Sequence, residues 1–199
     1  MENPTRVKIG DKYYKINTDF RVGLECNRIA QDENITDYER ALAIIYLLFG
    51  DEGLNDTQNH VKLLELARKY LQMGKDMSNN KKGKYEQPDF DYEEDYDYIV
   101  ASFMYDYHID LNNTRMHLWT FWNLLNGLSN SEFGSCCILS RIRNLRNYDT
   151  SQIKDPKERK KVEEMKEQFA LKRNKPKMTD KQKESQERFM QMLNMGKEE

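Results

Sequence analysis

The apolar residues of this chain recur at three- and four-residue spacing in one segment after another, which is the period of an amphipathic α-helix. Most of these segments begin near Asp, Thr or Ser, and several end at Gly, as helices with capped ends do. We therefore predict a mainly α protein that folds as a helical bundle. The predicted helices cover approximately residues 18–31, 36–50, 57–74, 92–108, 114–128, 131–147 and 155–173.

One short segment departs from the helical period. Residues 7–17, VKIGDKYYKIN, carry alternating side chains on either side of Gly10-Asp11, a dipeptide that tolerates the positive φ of a two-residue turn. We therefore predict a short β-hairpin at the N-terminus, before the first helix.

Composition divides the chain into a core and an appendage. The stretch KDMSNNKKGKYEQP is polar, contains Gly and Pro, and has no period that would bury a face, so a polar linker is predicted at about residues 75–90. Asp155-Pro156 is a favourable helix start, and the helix that follows is mostly charged. The predicted domains are a helical core with the N-terminal β-hairpin at 1–148 and a charged helical extension and tail at 149–199.

The segment from Glu86 to Asn113 concentrates charge of one sign, with nine carboxylates and no Lys or Arg. Apolar residues at helical spacing predict one buried face, and Glu93, Asp95 and Asp97 are predicted to lie mainly off it. A calcium loop needs a glycine among its alternating ligands, and residues 89–97 contain none, so a solvated helix face is favoured over a cation site. The predicted apolar face consists of Tyr92, Tyr96, Ile99, Val100, Phe103, Met104 and Tyr107.

Two further helices have predicted buried faces. In the helix at 57–74, the repeat of Val61, Leu64, Ala67 and Leu71 predicts packing on the preceding helix. In the helix at 114–128, large apolar residues cover more than one face, which favours burial in the core over an aromatic binding site. Those residues are Trp119, Phe121, Trp122, Leu124, Leu125 and Leu128.

Several protein classes are disfavoured by simple features of the chain. No window approaches the roughly 18 uninterrupted apolar residues of a membrane span, and the N-terminus lacks the charged start and apolar run of a secretory signal. The three cysteines are odd in number, and Cys136 and Cys137 are adjacent, which favours reduced, packed thiols. We expect a protein that stays in the cytoplasm where it is made, without membrane contact.

No arrangement of residues indicates catalysis. His60, His108 and His117 lack a second His or Cys at zinc-ligand spacing, so structural roles are favoured for them. Cys136-Cys137 continues into an apolar face, and no base is indicated for a thiol nucleophile. The phosphate-binding, dinucleotide-binding, serine hydrolase and zinc protease motifs are all absent from the sequence. We therefore predict no enzymatic activity, no catalytic or metal site and no cofactor.

Arg141, Arg143 and Arg146 form a basic group near the end of the predicted core. Arg143 and Arg146 share a helix face at i and i+3, from which they could contact phosphates or pair with carboxylates. The nine carboxylates upstream favour pairing within the protein, although contacts with a charged partner stay open. The net charge of −2 also disfavours nucleic acid as the main partner.

The tail changes from polar to apolar near its end, in a segment with a cap at Thr179. Such a segment could bind a partner or could cap the protein's own bundle, and the sequence favours neither. Its candidate contact residues are Phe189, Met190, Met192, Leu193 and Met195.

The order of these segments resembles a bacteriophage family known only as "gene product fifteen", from siphophages and prophages of Gram-positive bacteria. The resemblance extends from the hairpin to about Lys172, and its most specific segments are DYDYIVASFMYDYHIDL, MHLWTFWNLLNGL and RIRNLRNYDTSQIKDPKERKKVEEMKEQFALK. No single short motif within them is diagnostic.

Genes of that family lie between those for the tail tube and the tape measure, where long-tailed phages encode tail assembly chaperones. The resemblance therefore implies a non-enzymatic tail assembly factor in the cytoplasm of the bacterial host. It implies the tape-measure protein as partner, with the tail tube protein as a second candidate and self-association left open. The alternatives are a structural tail or connector component retained in the virion and, third, a helical nucleic-acid-binding regulator.

Overall fold

The computed structural model describes residues 2–74, 89–130 and 136–172, and it confirms a mainly α protein with an N-terminal β-hairpin. The predicted linker lies almost entirely outside these ranges. None of the helices in these ranges combines the length and the hydrophobicity that a membrane span requires. The elements are β1 (Arg6–Ile9), β2 (Lys12–Lys15), α1 (Phe20–Gln31), α2 (Asp37–Asn55), α3 (His60–Leu71), α4 (Tyr96–Tyr107), α5 (Leu118–Asn126), α6 (Ile138–Asn147) and α7 (Pro156–Gln168), with 3₁₀ turns at Thr57–Asn59 and Thr150–Gln152.

The hairpin has the predicted two-residue turn. Strand β1 pairs antiparallel with β2, Ile9 lies opposite Lys12, and Gly10 in the turn has a φ of 59°. Tyr14 points inward and is fully buried, whereas Tyr13 is 51 % exposed on the opposite face. The hairpin therefore has one face in the core and one in solvent, as alternation along a strand requires.

The starts of α1 and α2 are confirmed and rest on side-chain caps. The Asp19 carboxylate accepts from the Arg21 N–H at 3.0 Å. Thr36 and Glu39 cap each other, because the Thr36 hydroxyl accepts from the Glu39 N–H and the Glu39 carboxylate accepts from the Thr36 N–H. Each cap satisfies backbone donors that have no partner within the first turn of a helix.

The end of α2 differs from the prediction, because the helix continues beyond Gly50 to Asn55. Gly50 interrupts the helical geometry with φ 64° and ψ −159°, a backbone region that only glycine adopts readily. The predicted stop at Gly50 is therefore a break in direction, after which a short helical stretch resumes.

The predicted buried face of α3 is wrong at Val61, which is 73 % exposed. The buried side chains are those of Leu63, Ala67 and Tyr70, which also follow four- and three-residue spacing. Two overlapping stripes thus satisfy the helical period, and the one that faces the core buries the larger side chains of Leu63 and Tyr70. Leu64 lies at its edge and is half-buried.

Helix α4 starts at Tyr96, later than predicted, and two of its residues contradict the expected faces. Ile99 and Phe103 are fully buried as predicted, but Met104 is 45 % exposed. Asp95, predicted to lie off the buried face, is only 1 % exposed, and its carboxylate accepts from the Asp91 N–H at 3.0 Å. Residues Asp91 and Asp95 are hydrogen-bonded to each other in the turns before the helix. The Asp95 carboxylate is therefore bound to the backbone and buried.

Helix α5 supplies the centre of the core. It starts at Leu118 rather than Thr114, because the side chain of His117 is the cap. Phe121 stacks between Phe20 and Phe103, with ring centroids 4.6 and 5.4 Å away. The expectation that this helix is buried on several sides is confirmed, since the predicted residues of α5 and Leu128 after it are all buried or half-buried.

The chain divides into two compact units between Asn144 and Leu145. In the second unit, the Asp155 carboxylate caps α7 by accepting from the Lys157 N–H at 3.0 Å, and Pro156 is the first helical residue, as predicted. Helix α7 ends at Gln168, and none of its residues is fully buried, in agreement with its charged composition.

Candidate functional site

The candidate site is a groove of about 1020 Å³ in the first unit, between β2, the start of α1, the middle of α2 and the segment before α5. Its walls come from residues 15–22, 46–51 and 115–117, and we call it the Gly50 groove. Three stretches that are far apart in sequence thus form one surface, and the backbone contacts between them determine its shape.

The break at Gly50 positions one wall of the groove. In the turn before it, the Leu48 carbonyl accepts a hydrogen bond from the Asn17 N–H at 2.8 Å. This bond joins α2 to the segment that leads from the hairpin into α1. The Gly50 groove therefore forms where α2 changes direction and the segment between the hairpin and α1 passes over α2.

His117 positions the opposite wall. Residues Asp19 and His117 form an isolated antiparallel bridge, in which the Leu118 N–H donates to the Thr18 carbonyl at 2.8 Å. The His117 Nδ1 accepts from the Trp119 N–H at 3.0 Å, so its Nε2 carries the proton and donates to the Pro4 carbonyl at 3.0 Å. His117 thus has the structural role expected for the histidines.

Charged groups surround the groove, but they are not equally available. The Arg21 guanidinium donates to the Asn112 and Thr114 carbonyls at 3.2 Å each, and it pairs with Asp19 at 3.2 Å. The Arg21 guanidinium is therefore occupied by contacts within the protein. Lys15 and Arg115 are exposed on the rim, and neither has a carboxylate at ion-pair distance within the described residues.

The base of the groove is apolar. Ile16, Leu48 and Phe49 are buried at its floor, Leu47 is half-buried on its side, and Tyr46 is 50 % exposed at its edge. Exposed Asp51 also lines the groove, so the rim carries charges of both signs, with one more cation than anion. An apolar floor with such a rim suits a segment that presents both apolar and charged side chains. The arrangement is suited to binding another chain.

The described residues do not bring together groups for metal binding. Among residues 2–74, 89–130 and 136–172, no group of three or more His, Cys, Asp or Glu side chains is placed to hold a metal ion. All three cysteines are free, and burial raises the pKa of the Cys26 thiol to about 12. A thiol with that pKa is protonated at neutral pH and packs as a small apolar group.

The three arginines of the predicted basic group do not converge. Arg143 pairs with Asp89 through nitrogen-to-oxygen distances of 3.0 and 3.4 Å. Arg146 donates to the Phe169 carbonyl at 2.7 Å within the second unit. Arg141 is exposed and has no ion pair in the described part of the chain.

Arg143 also begins a series of aromatic contacts. Its guanidinium lies over the Phe90 ring at 5.7 Å, and Phe90 contacts Tyr92 edge to face at 4.4 Å. Tyr92 in turn contacts Trp122 at 4.9 Å, and burial raises the pKa of the Tyr92 hydroxyl to about 12. The start of the acidic segment is thus anchored on α5 by aromatic packing, in addition to the ion pair.

The tail residues proposed for partner binding lie outside the described residues. They are Phe189, Met190, Met192, Leu193 and Met195. The Gly50 groove was not identified from sequence, because its floor consists of ordinary core residues. The one local signal for it is Gly50, a glycine with helical patterns on both sides.

No curated protein and no solved structure matches this chain. A family model does match, under the description bacteriophage Gp15 protein, and it covers residues 2–171. That range contains the hairpin, all helices from α1 to α7 and every residue of the Gly50 groove. The chain therefore belongs to the bacteriophage Gp15 protein family.

Proposed function

We propose that this phage protein is a non-enzymatic tail assembly factor, a chaperone that binds the tape-measure protein while the tail tube assembles. It acts in the cytoplasm of the bacterial host, and the tail tube protein is a second candidate partner. The observation that carries the proposal is the Gly50 groove, an apolar floor with a charged rim in a member of a phage protein family.

The groove has the properties needed to hold an amphipathic helix. Such a helix presents side chains at i, i+3, i+4 and i+7, which insert together into an apolar groove. The volume of about 1020 Å³ accommodates several side chains, and the exposed ring of Tyr46 offers an aromatic contact at the edge. A long helical client would be kept from aggregating where its apolar stripe is covered.

Charge adds a preference among client segments. Lys15 and Arg115 stand on the rim without carboxylate partners in the described residues. These two cations outnumber exposed Asp51 on the same rim. The groove therefore favours a helix whose apolar stripe is flanked by more Asp or Glu than Lys or Arg, because rim charges of opposite sign speed association and align the partner.

The test is co-expression of the affinity-tagged chain with the tape-measure protein from the same phage, followed by pull-down and measurement of client solubility. Tyr46→Glu puts a charge at the groove edge and should abolish co-purification. Tyr38→Glu is the matched control, because Tyr38 is on the same helix, is 70 % exposed and lies outside the groove. Equal binding by both variants, or no binding by the wild-type chain, would contradict the proposal.

The structural tail component is separated from the chaperone by mass spectrometry of purified phage particles. A chaperone leaves after assembly, whereas a tail or connector component persists at a fixed copy number. The nucleic-acid-binding regulator is disfavoured by the arginines themselves, since Arg143 is paired with Asp89 and Arg146 donates to a carbonyl.

A further inference from the structure

The outer face of the hairpin carries three cations around one exposed tyrosine. Alternation along the strands places Arg6, Lys8, Tyr13 and Lys15 on this face, and all four are exposed. Lys8 lies directly opposite Tyr13 and Arg6 opposite Lys15 in the register. We call these four residues the basic hairpin face.

These cations have no acidic partners in the fold. Lys12, on the other face, pairs with Asp56 at 3.1 Å, whereas Arg6, Lys8 and Lys15 have no carboxylate at ion-pair distance within the described residues. Arg6 and Lys8 lie over the Tyr13 ring instead, at 5.0 and 5.3 Å from its centroid. The face is thus a compact positive patch built around an aromatic ring.

A second surface of the same unit has the complementary character. Asp97, Ala101 and Met104 are exposed at four- and three-residue spacing along α4, and exposed Glu93 precedes them in the turn before the helix. Neither Glu93 nor Asp97 has a cation at ion-pair distance in the described part of the chain. We call Glu93, Asp97, Ala101 and Met104 the acidic α4 face.

We propose that the basic hairpin face of one copy docks on the acidic α4 face of a second copy. The charges of the two faces are opposite, although Glu93 also interacts electrostatically with Arg28 of its own chain. Each face has an apolar contact, the Tyr13 ring on one and the Met104 side chain on the other. No hydrogen bond or ion pair joins the two faces within the described part of one chain, so both are open to a second copy.

Because the two faces are different, the contact is head-to-tail. A dimer formed in this way still has one basic and one acidic face free, so further copies can bind at either end. Association therefore continues unless the subunits close into a ring. Exposed ion pairs contribute little each, up to about 1 kcal/mol, so the contact should be weak and should depend strongly on salt.

Nucleic acid is the competing occupant of the basic hairpin face. Single strands bind where bases stack on exposed aromatic rings, but Arg6 and Lys8 already lie over the Tyr13 ring. A protein surface with carboxylates therefore fits the face better.

The test is sedimentation velocity of the full chain over a concentration series at about 50 mM and about 500 mM salt. The wild type should associate at low salt and dissociate at high salt. Arg6→Gln/Lys8→Gln and Glu93→Gln/Asp97→Asn should each weaken association by at least about tenfold. Lys15 is left unchanged, because it also lines the Gly50 groove and its loss would affect client binding as well.

Matched controls remove the same charge elsewhere. Lys62→Gln/Lys69→Gln neutralises two exposed cations of α3, and Glu33→Gln/Glu65→Gln neutralises two exposed carboxylates. Both controls should associate as the wild type does. If they weaken association as much as the face variants do, net charge rather than these faces is responsible and the proposal fails.

Mixing the two face variants tests whether the contact is head-to-tail. The basic-face variant keeps its acidic face and the acidic-face variant keeps its basic face, so the mixture should form a heterodimer that grows no further. A mixture that stays monomeric, or a wild-type chain that is monomeric at about 100 μM and low salt, overturns the proposal. Unchanged self-association with lost binding to a labelled single-stranded oligonucleotide in the basic-face variant also overturns it, in favour of nucleic acid.

Discussion

The Tyr14 hydroxyl donates a hydrogen bond of 2.5 Å to the Asp56 carboxylate and so joins the hairpin to the segment that follows α2. Lys12 and Asn59 donate to the same carboxylate, at 3.1 and 3.2 Å. Tyr14 is itself fully buried between the strands and the helices. The Asp56 carboxylate thus accepts hydrogen bonds from β2 and from the turn before α3. These bonds attach the hairpin to the helical core.

The first prediction concerns the pH dependence of this contact. The hydrogen bond from Tyr14, followed by those from Asn59 and Lys12, lowers the pKa of Asp56 to about 2. The unfolded chain has an ordinary Asp pKa of about 3.9, so the contribution of Asp56 to stability is present above that value and is lost as the pH falls through about 2. Tyr14→Phe should lower the melting temperature at neutral pH, and the difference from wild type should shrink over this acidic range. Thermal unfolding followed by circular dichroism measures the difference in melting temperature. A difference that stays constant down to the lowest pH would show that the Tyr14–Asp56 hydrogen bond does not account for it.

The second prediction concerns Gly50. Its φ of 64° and ψ of −159° are strained for any other residue, and no described residue lies within 4 Å of where a Cβ would be. Gly50→Ala should therefore lower the free energy of unfolding by about 1–3 kcal/mol through backbone strain alone. Urea unfolding measures the loss, and an unchanged midpoint would show that the break is not required. The same variant should bind client more weakly, because the groove wall depends on the break.

The third prediction concerns the close approach of α1 and α5. A Cβ at Gly23 would lie 2.5 Å from the Leu118 Cδ1, so Gly23→Ala should cost about 1–3 kcal/mol by overpacking. Leu118→Ala alone should cost about 2–5 kcal/mol, since Leu118 is 1 % exposed. The double variant should lose less than the two single losses together, because the shortened side chain makes room for the new methyl group. Additive losses in urea unfolding would contradict direct packing.

The fourth prediction compares two arginines. Arg21→Gln removes hydrogen-bond donors to the Leu111, Asn112 and Thr114 carbonyls in the segment before α5. The free energy of unfolding should therefore fall by about 1–2 kcal/mol. Arg143→Gln breaks an ion pair that is 45 % and 27 % exposed, so its cost should stay below about 1 kcal/mol and vanish at high salt. Urea unfolding at two salt concentrations separates them, and a larger loss for Arg143→Gln would contradict this ranking.

Features that depend on neighbours in sequence were predictable. The cap at Asp155 and the turn at Gly10 follow from residues within three or four positions, so sequence indicated them without knowledge of the fold, and for α2 it left Thr36 or Asp37 as the cap. The mainly α class followed equally from local periodicity. In each of these cases, the interaction that decides the structure lies within the segment itself.

Features that depend on distant contacts were not predictable. The choice between the Val61 and Leu63 stripes of α3 is made by the helix that packs against it, and both stripes satisfy the period. The burial of Asp95 depends on turns that fold back before α4. The Gly50 groove requires three remote segments to meet, and Gly50 itself is the one local signal that any of them carries.

The bridge between Asp19 and His117 has a consequence for when binding can begin. The two residues are about 100 positions apart, so the bridge closes a long loop whose entropy must be overcome by the packing of α1, α2 and α3. During synthesis the hairpin and the first three helices leave the ribosome well before His117 does. A partly made chain therefore lacks one wall of the Gly50 groove, and the proposed client binding there requires a chain translated beyond α5.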